Sequence, residues 1–343
     1  MRSKLLVIIF SATAGMVLLI ACGPQTKQET VQTKPEPLPT ITLARHELVD
    51  LMKRYLDALV KHDPSAVPFA ENVKFVENTA NIPVGDGLWV TAAGGPSEFQ
   101  IYAADPVAQQ VACMVMMKEN RGADILLGAR LKVVNGKITE AEHLVIRDLT
   151  SSPIGKDALK NLQKPRPALL EDVSEEDRTS RDEMIKIGLS YYEALTGEDG
   201  KLAPFADDCE RRENGMTTAG TREKIGAPPG SDPATQKAMM AFPRTCEGQI
   251  STGTFAYITD IKSRRVLVAD EQKGLAVGFS MFWHRGAEKE IPIKNVSGVT
   301  SVPAQFGAFN LPAMHIFKIR NGKIYEIEAI GFTLPYGLPS GWD

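Results

Sequence analysis

The stretch YLDALVKHDPSAVPFAENVKFVEN at residues 55–78 returns as YYEALTGEDGKLAPFADDCERREN at residues 191–214. The two stretches align without a gap at an offset of 191 − 55 = 136, and nine of their 24 positions are identical. Chance would give about one or two identities, so the chain contains one structural module twice.

The end of the module is repeated as well, and it indicates the order of the elements. LKVVNGKITEAE at 131–142 matches FKIRNGKIYEIE at 317–328. Asn-Gly between β-prone runs is the strongest short signal for a hairpin. Earlier in each copy, apolar residues follow the three-and-four spacing of a buried helix face, so we predict helices first and then a curved antiparallel meander. The helix residues are Leu48, Met52, Tyr55, Leu56 and Leu59 in the first copy and Met184, Gly188, Tyr191, Tyr192 and Leu195 in the second.

The second copy is longer by about 50 residues, because the offset grows from 136 to 186. Aligning Ala104-Asp105 with Ala269-Asp270 divides these residues into insertions of 29 before that point and 21 after it. Both insertions contain several Gly and Pro residues, which is typical of loops. Three roles stay open for them: a cover over a binding site, surface padding, or a contact between the copies.

The N-terminal segment has the layout of a secretory signal, with Arg2 and Lys4 before an apolar run from Leu5 to Leu19. The next residues, Ile-Ala-Cys-Gly, resemble the lipobox of bacterial lipoproteins, in which the cysteine, here Cys22, carries the lipid after cleavage. An uncleaved membrane anchor and an ordinary secreted protein are the alternatives. We expect a lipid-anchored protein of the cell envelope, on the periplasmic side of a bacterial membrane, with inner and outer membrane both open.

The domain organisation follows from the signal, the spacer and the repeat. A spacer rich in Pro, Gln, Thr and Lys follows Cys22 and is predicted to be flexible. The predicted segments are 1–22, the signal peptide and lipidated cysteine; 23–42, a disordered linker; 43–150, the first domain; 151–180, an interdomain linker; and 181–343, the second domain with both insertions.

Charge and cysteine content restrict the partners and the covalent links. Removing residues 1–21 leaves 37 basic and 42 acidic residues, a net charge of −5 without basic clustering, which excludes a nucleic-acid binder. Cys113 lies in an apolar run and is predicted to be a buried thiol. Cys209 and Cys246 are predicted to form a disulfide worth about 3 to 4 kcal/mol, with two free thiols as the alternative.

The order of elements resembles the SnoaL-like, nuclear-transport-factor-two-like superfamily, whose domains wrap a curved sheet around helices to form a cone. Gly87-Leu88-Trp89, CERRENG at 209–215 and the two NGKI turns look like an uncharacterised family of tandem SnoaL-like proteins of bacteria and fungi. This resemblance covers nearly all of residues 43–343. It implies an α+β fold of two tandem cone-shaped domains, each with N-terminal helices packed on a curved antiparallel sheet. The superfamily includes isomerases, dehydratases, lyases, cyclases and binding modules, so the fold does not select a function.

The resemblance also implies a type of site. Several relatives work without metal or cofactor: Asp or His acts as acid or base inside the apolar cone, while Tyr, Trp or Asn donates hydrogen bonds. His284 and His315 fit this pattern and have no histidine counterpart in the first copy, where Ala129 stands opposite His315. Structural, hydrogen-bonded histidines are the alternative. The predicted ligand-binding residues are Asn214, Tyr192, Trp283 and Tyr336.

Carboxylates share faces with apolar residues in the last two strands of each copy. Alternation places Glu140 and Glu142 on one face, and Glu326 and Glu328 on the equivalent face. Interior Glu142 and Glu328 are candidate bases. The alternative is that Glu140 and Glu326 lie at the solvated hairpin end and that their partners form cross-strand ion pairs.

A Glu-Asn pair is also duplicated, as Glu77-Asn78 and Glu213-Asn214. The glutamate would be an acid or base and the asparagine would orient a carbonyl, but a structural turn explains the pair equally well.

Two hypotheses of function result. In the first, a cofactor-independent isomerase, dehydratase or lyase acts on a small, partly apolar molecule in the second cone, with His315, His284, Glu328 and Glu213 as catalytic candidates. We expect no cofactor and no metal ion, although His284, His315 and Glu328 are the one group in which a metal site is conceivable. In the second hypothesis, the chain is a non-catalytic, surface-tethered binding or assembly lipoprotein. The oligomeric state stays open.

Overall fold

The computed structural model describes residues 40–147, 149, 158–221, 240–304 and 306–343. Within these ranges the module occurs twice, as the repeat predicts. Each copy begins with a long amphipathic helix, and all ten predicted stripe residues of the two helices are buried.

The first copy contains α1 Arg45–Val60, β1 Phe69–Glu77, β2 Ala80–Asn81, α2 Leu88–Thr91, β3 Ala92–Gly94, β4 Gln100–Asp105, β5 Gln110–Glu119, β6 Ala123–Val134 and β7 Lys137–Ile146. The second copy contains α3 Arg181–Gly197, β8 Phe205–Glu213, β9 Met216–Ala219, α4 Cys246–Ile250, β10 Asp260–Asp270, β11 Leu275–His284, β12 Glu290–Pro292, β13 Ser301–Pro303, β14 Phe309–Arg320, β15 Lys323–Gly331 and β16 Leu334–Pro335.

The two main sheets have the same topology. Their strand orders are β2-β1-β7-β6-β5 and β9-β8-β15-β14-β11-β10, with β3 and β4 both pairing with β5, and β16 pairing with β14. The predicted hairpins form at both Asn-Gly pairs, where Asn135 and Gly136 have φ of 49° and 73° and Asn321 and Gly322 have φ of 48° and 67°. These positive values suit the tight turn between two twisted strands.

The predicted fold of two tandem domains, each with a helix on a curved sheet, is confirmed, with one difference in the sheets. Each sheet is mixed, because β1 pairs with β7 and β8 pairs with β15 in parallel. The first strand of each copy thus lies beside the second strand of its Asn-Gly hairpin, and the intervening strands supply the crossover that a parallel pair requires.

The outer faces of the two sheets pack against each other and form a shared apolar core. Residues from both copies contribute, including Ile101, Met114 and Leu126 from the first and Val277, Met314 and Ile316 from the second. Leu162 and Leu169, in the segment predicted as the interdomain linker, are buried in the same core. This segment is therefore packed structure where the structure describes it.

Two reciprocal ion pairs connect the copies at their edges. Arg45 at the start of α1 pairs with Asp270 at 2.8 Å, and Arg181 at the start of α3 pairs with Asp105 at 2.8 Å. Each aspartate also accepts a hydrogen bond from a backbone N–H in the other copy, at 3.0 and 3.2 Å. Both aspartates are buried, and the arginine that pairs with each of them comes from the other copy.

The cysteines lie where the sequence places them. Cys209 in β8 and Cys246 in α4 form the predicted disulfide, with Cα atoms 5.9 Å apart. Cys113 is a buried free thiol in β5. Cys22 and the rest of residues 1–39 lie outside the described residues. No helix within the described ranges is long and apolar enough to cross a membrane.

The two insertions of the second copy have different outcomes. Most of the first one lies outside the described residues. The second forms the β12–β13 hairpin, with its own small apolar cluster of Ile291, Ile293 and Val296, which packs against Tyr257.

The close approach of the two sheets at Gly128 generates a stability prediction. A Cβ atom there would lie 2.5 Å from the Met314 sulfur and 2.6 Å from Ile330 Cδ1. We expect Gly128→Val to lower the free energy of unfolding by about 1 to 3 kcal/mol through overpacking, as measured by urea denaturation. Gly94→Val is the matched control, because its nearest neighbours are 3.8 Å or more away. Equal stability of the two variants would contradict the close packing of the copies.

Candidate functional site

The second copy contains a partly open cavity of about 130 Å³ between α3 and the inner face of its sheet, which we call the second cone. For comparison, an engineered apolar cavity of about 150 Å³ holds a benzene molecule. Drug-sized ligands use pockets of about 300 Å³ or more, so a ligand here is smaller. The apolar part of the wall includes Leu195, Phe255, Ile258, Phe282, Leu311 and Ala313.

His315 lies on β14 and lines the second cone. Its ring is buried, and its Nδ1 lies 3.3 Å from the Tyr192 hydroxyl. No described residue hydrogen-bonds its Nε2. Burial lowers the pKa of His315 to about 3, and the nearby positive charge of Arg211 contributes to this decrease. The imidazole is therefore neutral at pH 7 and has one nitrogen held in place.

His284 lies at the end of β11 and also lines the cavity. Its ring stacks between Phe309 and Tyr257, with centroid distances of 3.8 and 5.6 Å. Burial lowers the pKa of His284 to about 4, against the opposite effect of a hydrogen bond with the Phe309 backbone. His284 thus forms part of an aromatic wall as a neutral ring.

Arg211, which sequence reasoning did not select, brings a charge into the second cone. Its side chain is 1 % exposed, and its Nε lies 3.0 Å from a Glu213 carboxylate oxygen. Its Nη2 donates to Gln249 at 2.5 Å, and the guanidinium lies over the Phe255 ring at 4.8 Å. Glu213 lines the same cavity, with 45 % of its side chain exposed.

The remaining predicted ligand-binding residues do not offer free polar groups to the cavity. Trp283 points away from its neighbour His284 because the strand alternates, and it packs on Tyr336 at 5.2 Å, outside the cavity. Asn214 borders the cavity, but its side-chain amide both donates to and accepts from the Gly331 backbone, at 2.8 and 3.1 Å. Asn78 makes the same two bonds with Val145, so the duplicated asparagine fixes the end of a strand.

The glutamates of the last strands lie on the outer faces of the sheets. Glu328 is 3.0 Å from Arg166 and faces away from His315, and burial raises its pKa. Glu142 pairs with Arg130 at 3.1 Å and with Arg265 of the other copy at 2.7 Å. Glu142 and Glu328 therefore form ion pairs on the outer faces of the sheets and do not line the cones.

Two other expectations for these strands differ from the structure. Glu326, expected at a solvated hairpin end, is 1 % exposed, because Arg166 covers it. His284, His315 and Glu328 do not come together, since Glu328 lies across the sheet. Among the described residues, no three His, Cys, Asp or Glu side chains are grouped in a way that would hold a metal ion.

The first copy has its own buried histidine, which sequence reasoning missed. His143 on β7 lies 2.8 Å from the Tyr55 hydroxyl and 3.3 Å from Glu77. It pairs across the sheet with Ala129, whereas His315 pairs with Ala329. The equivalent pair of positions thus holds one histidine in each copy, on opposite strands. His315 has Ala129 at its equivalent position, but the 186-residue offset also aligns His143 with Ala329, and this second alignment was the signal for a buried histidine in the first copy.

The space enclosed by α1 and the inner face of the first sheet, the first cone, is packed differently. Trp89 on α2 is 1 % exposed and contacts the rings of Tyr55 and Phe69 at 5.3 and 6.0 Å. The second copy has α4 and its disulfide in the corresponding part of the chain. The large indole therefore belongs to the first cone alone, and the cavity described above to the second.

Comparison with known proteins adds a family but no activity. The family model "Domain of unknown function (DUF8021)" matches residues 42–145 and 177–331. No curated protein matches the chain.

Solved structures similar to the chain include three bacterial proteins. A candidate polyketide cyclase from Silicibacter sp. TM1040 has 12 % identity and a TM-score of 0.26, and covers 46 % of this chain and 92 % of its own. A candidate hydroxylase from Streptomyces galilaeus has 12 % identity and a TM-score of 0.23, and the match covers 46 % of this chain and 83 % of the hydroxylase. A candidate SnoaL-like polyketide cyclase from Jannaschia sp. CCS1 has 10 % identity and a TM-score of 0.24, and the match covers 48 % of this chain and 90 % of the cyclase. At these TM-scores the likeness establishes neither a reaction nor a ligand.

The lowered pKa of His315 generates a prediction for stability against pH. The folded protein keeps this ring neutral down to a pKa of about 3, whereas the unfolded chain protonates it near 6.5. Protons therefore favour the unfolded state as the pH falls through this window. We expect the free energy of unfolding to drop between pH 7 and pH 5, with up to about 2 kcal/mol of the drop due to His315.

Urea denaturation of His315→Phe at both pH values measures that share. The variant should lose less stability on acidification than the wild-type protein. His46→Gln is the control, because it removes an exposed imidazole and leaves the buried ring of His315 in place. An unchanged pH dependence in His315→Phe would contradict the burial of a neutral ring.

Proposed function

Because the chain belongs to this family of domains of unknown function, membership names no reaction, and we propose a function from the second cone. The second cone binds a small, partly apolar molecule and transfers a proton on it without a cofactor. Such a step is common to isomerases, dehydratases and lyases that act next to a carbonyl group. The neutral, buried His315 at the cavity wall is the observation that carries this proposal.

The geometry supports a division of roles. In the tautomer in which Nδ1–H of His315 donates to the Tyr192 hydroxyl oxygen, Nε2 is the nitrogen left to accept a proton from a ligand. Glu213 borders the cavity and is half-exposed, so it can exchange protons with solvent. Arg211 supplies a fixed positive charge where negative charge would develop on a ligand oxygen.

The first cone has a structural role in this proposal. Its histidine is fixed on both nitrogens by Tyr55 and Glu77, and Trp89 packs on Tyr55. A histidine whose two nitrogens are already bonded offers no free acceptor to a ligand.

Filling the cavity tests the binding step. We expect a ligand-observed NMR screen of small carbonyl compounds and carboxylic acids to find binders of the wild-type protein. Ala329→Leu and Ala313→Leu place new atoms in the cavity and should abolish these hits, while Tyr336→Ala, outside the cavity, should retain them. Thermal melting identifies variants that fail to fold. Hits that survive in both folded, cavity-filled variants would place binding elsewhere.

Exchange of carbon-bound protons tests the chemistry. Binders with an α-proton are incubated with the protein in D₂O, and the loss of that proton signal is followed by NMR. We expect His315→Gln to slow the exchange by about 10²-fold or more. Binding without any exchange above the rate in buffer would favour a binding protein over an enzyme.

We also propose that the chain is exported and lipid-anchored through Cys22. The apolar segment before this cysteine supports export, and the Cys209–Cys246 disulfide is typical of oxidising compartments. In a bacterial host, Cys22→Ala should abolish labelling with a fatty-acid analogue and release the protein from the membrane fraction. Cys113→Ala is the control, because this thiol is buried in β5. A wild-type protein found only in the cytoplasm would refute the proposal.

A further inference from the structure

We propose that the second cone selects small organic carboxylates, and that a corner formed by Arg211, Tyr191 and Tyr257 binds their anionic oxygens. This inference rests on the proposed function and adds the chemical class of the ligand. Its three residues come from β8, from α3 and from the segment before β10. All three line the cavity.

Arg211 is a difference between the two copies. At the 136-residue offset its counterpart is Phe75, which packs edge-on against His143 at 4.9 Å in the first cone. An apolar residue therefore satisfies the fold at this position. A cation buried to 1 % exposure in its place is costly unless it is paired.

The pairing of Arg211 is incomplete within the described residues. Nε donates a hydrogen bond to Thr218 at 3.0 Å and lies 3.0 Å from the Glu213 carboxylate, which is half in solvent. Nη1 is buried and has no hydrogen-bond partner among the described residues, while the Tyr191 hydroxyl lies near the guanidinium and interacts with it. The guanidinium thus retains capacity for a further anionic oxygen.

The other ionisable groups at the cavity favour an anion. Burial raises the pKa of Tyr191 to about 12 and raises that of Tyr257 as well, so both remain protonated donors at pH 7. Neither hydroxyl donates a hydrogen bond to a described residue. His284 and His315 are neutral, which leaves Glu213 as the one group with negative charge among the cavity residues.

A bound carboxylate would also act on His315. Burial and the charge of Arg211 are the two causes that lower the pKa of this ring. An anion beside Arg211 offsets the second cause, so it raises the pKa of His315 and makes it a better base. The apolar wall, including Leu195, Phe282 and Leu311, holds the hydrocarbon part of the ligand.

Matched pairs of probes test the charge preference. Isovalerate is compared with isovaleramide, and benzoate with benzamide, by ligand-observed NMR titration at constant ionic strength. Each pair has the same shape and differs in charge. We expect the carboxylate to bind the wild-type protein at least about tenfold more tightly than its amide.

Three variants assign the preference to the corner. Tyr257→Phe should weaken carboxylate binding about tenfold and change amide binding little. Glu213→Gln removes the competing carboxylate and should strengthen carboxylate binding. Arg211→Gln should abolish the preference. Tyr336→Phe and Arg320→Gln are the matched controls, because they lie outside the cavity and should bind like the wild-type protein.

The outcomes separate this inference from the proposed function. Equal binding of carboxylate and amide, abolished by Ala329→Leu, would overturn the carboxylate preference and leave the cavity as a binding site. If neither the carboxylate nor the amide binds, the inference is overturned as well. The NMR screen of small carbonyl compounds and carboxylic acids then shows whether the cavity binds any ligand. If Arg211→Gln does not fold, the other two variants still test the inference, because carboxylate affinity should fall in Tyr257→Phe and rise in Glu213→Gln. Unchanged carboxylate affinity in both variants would overturn the proposal that this corner binds the carboxylate.

Discussion

Both faces of each sheet are covered, one by a helix and the other by the second sheet, and this constraint determines most of the remaining structure. The outer faces meet in one apolar core to which both copies contribute. Burial of this shared apolar surface is the main force that holds the copies together. The two cones therefore lie on opposite sides of the packed pair of sheets.

The ion pairs between the copies follow from the same constraint. Asp105 and Asp270 are buried at the sheet edges, and each is neutralised by an arginine from the other copy. Removing either arginine would leave an uncompensated buried charge, which costs more than the intact pair contributes. These pairs therefore specify how the copies align, while apolar packing supplies the stability. The exchange is reciprocal, as in an interface between two identical subunits.

The same double coverage explains which predictions succeed. The helix stripes and the Asn-Gly hairpins depend on local periodicity and turn chemistry, and they were predicted from the sequence. The side chains facing the cavity were harder to identify, because a strand covered on both faces has apolar residues on both, and alternation then gives two equivalent faces. Glu142 and Glu328 were selected from the outer face for this reason. His143 lies on the inner face of the same strand as Glu142 and was missed.

Arg211 was missed for a different reason. In CERRENG it is one of four consecutive charged residues, which in a single sequence resemble a solvated edge. Only the pairing of β8 with β15 and the cover provided by α4 bury it at 1 % exposure. Alignment with Phe75 in the first copy is the internal signal, since the equivalent position holds a core aromatic residue there and a charged residue in the second copy. The duplication makes this difference between the copies tolerable, because both copies are stabilised by the shared outer core. The first copy has a packed interior with Trp89 and Phe75, whereas the second contains the buried cation Arg211 and the cavity. The cost in stability falls on the second copy, which the first copy supports through the shared core and which also contains the cavity.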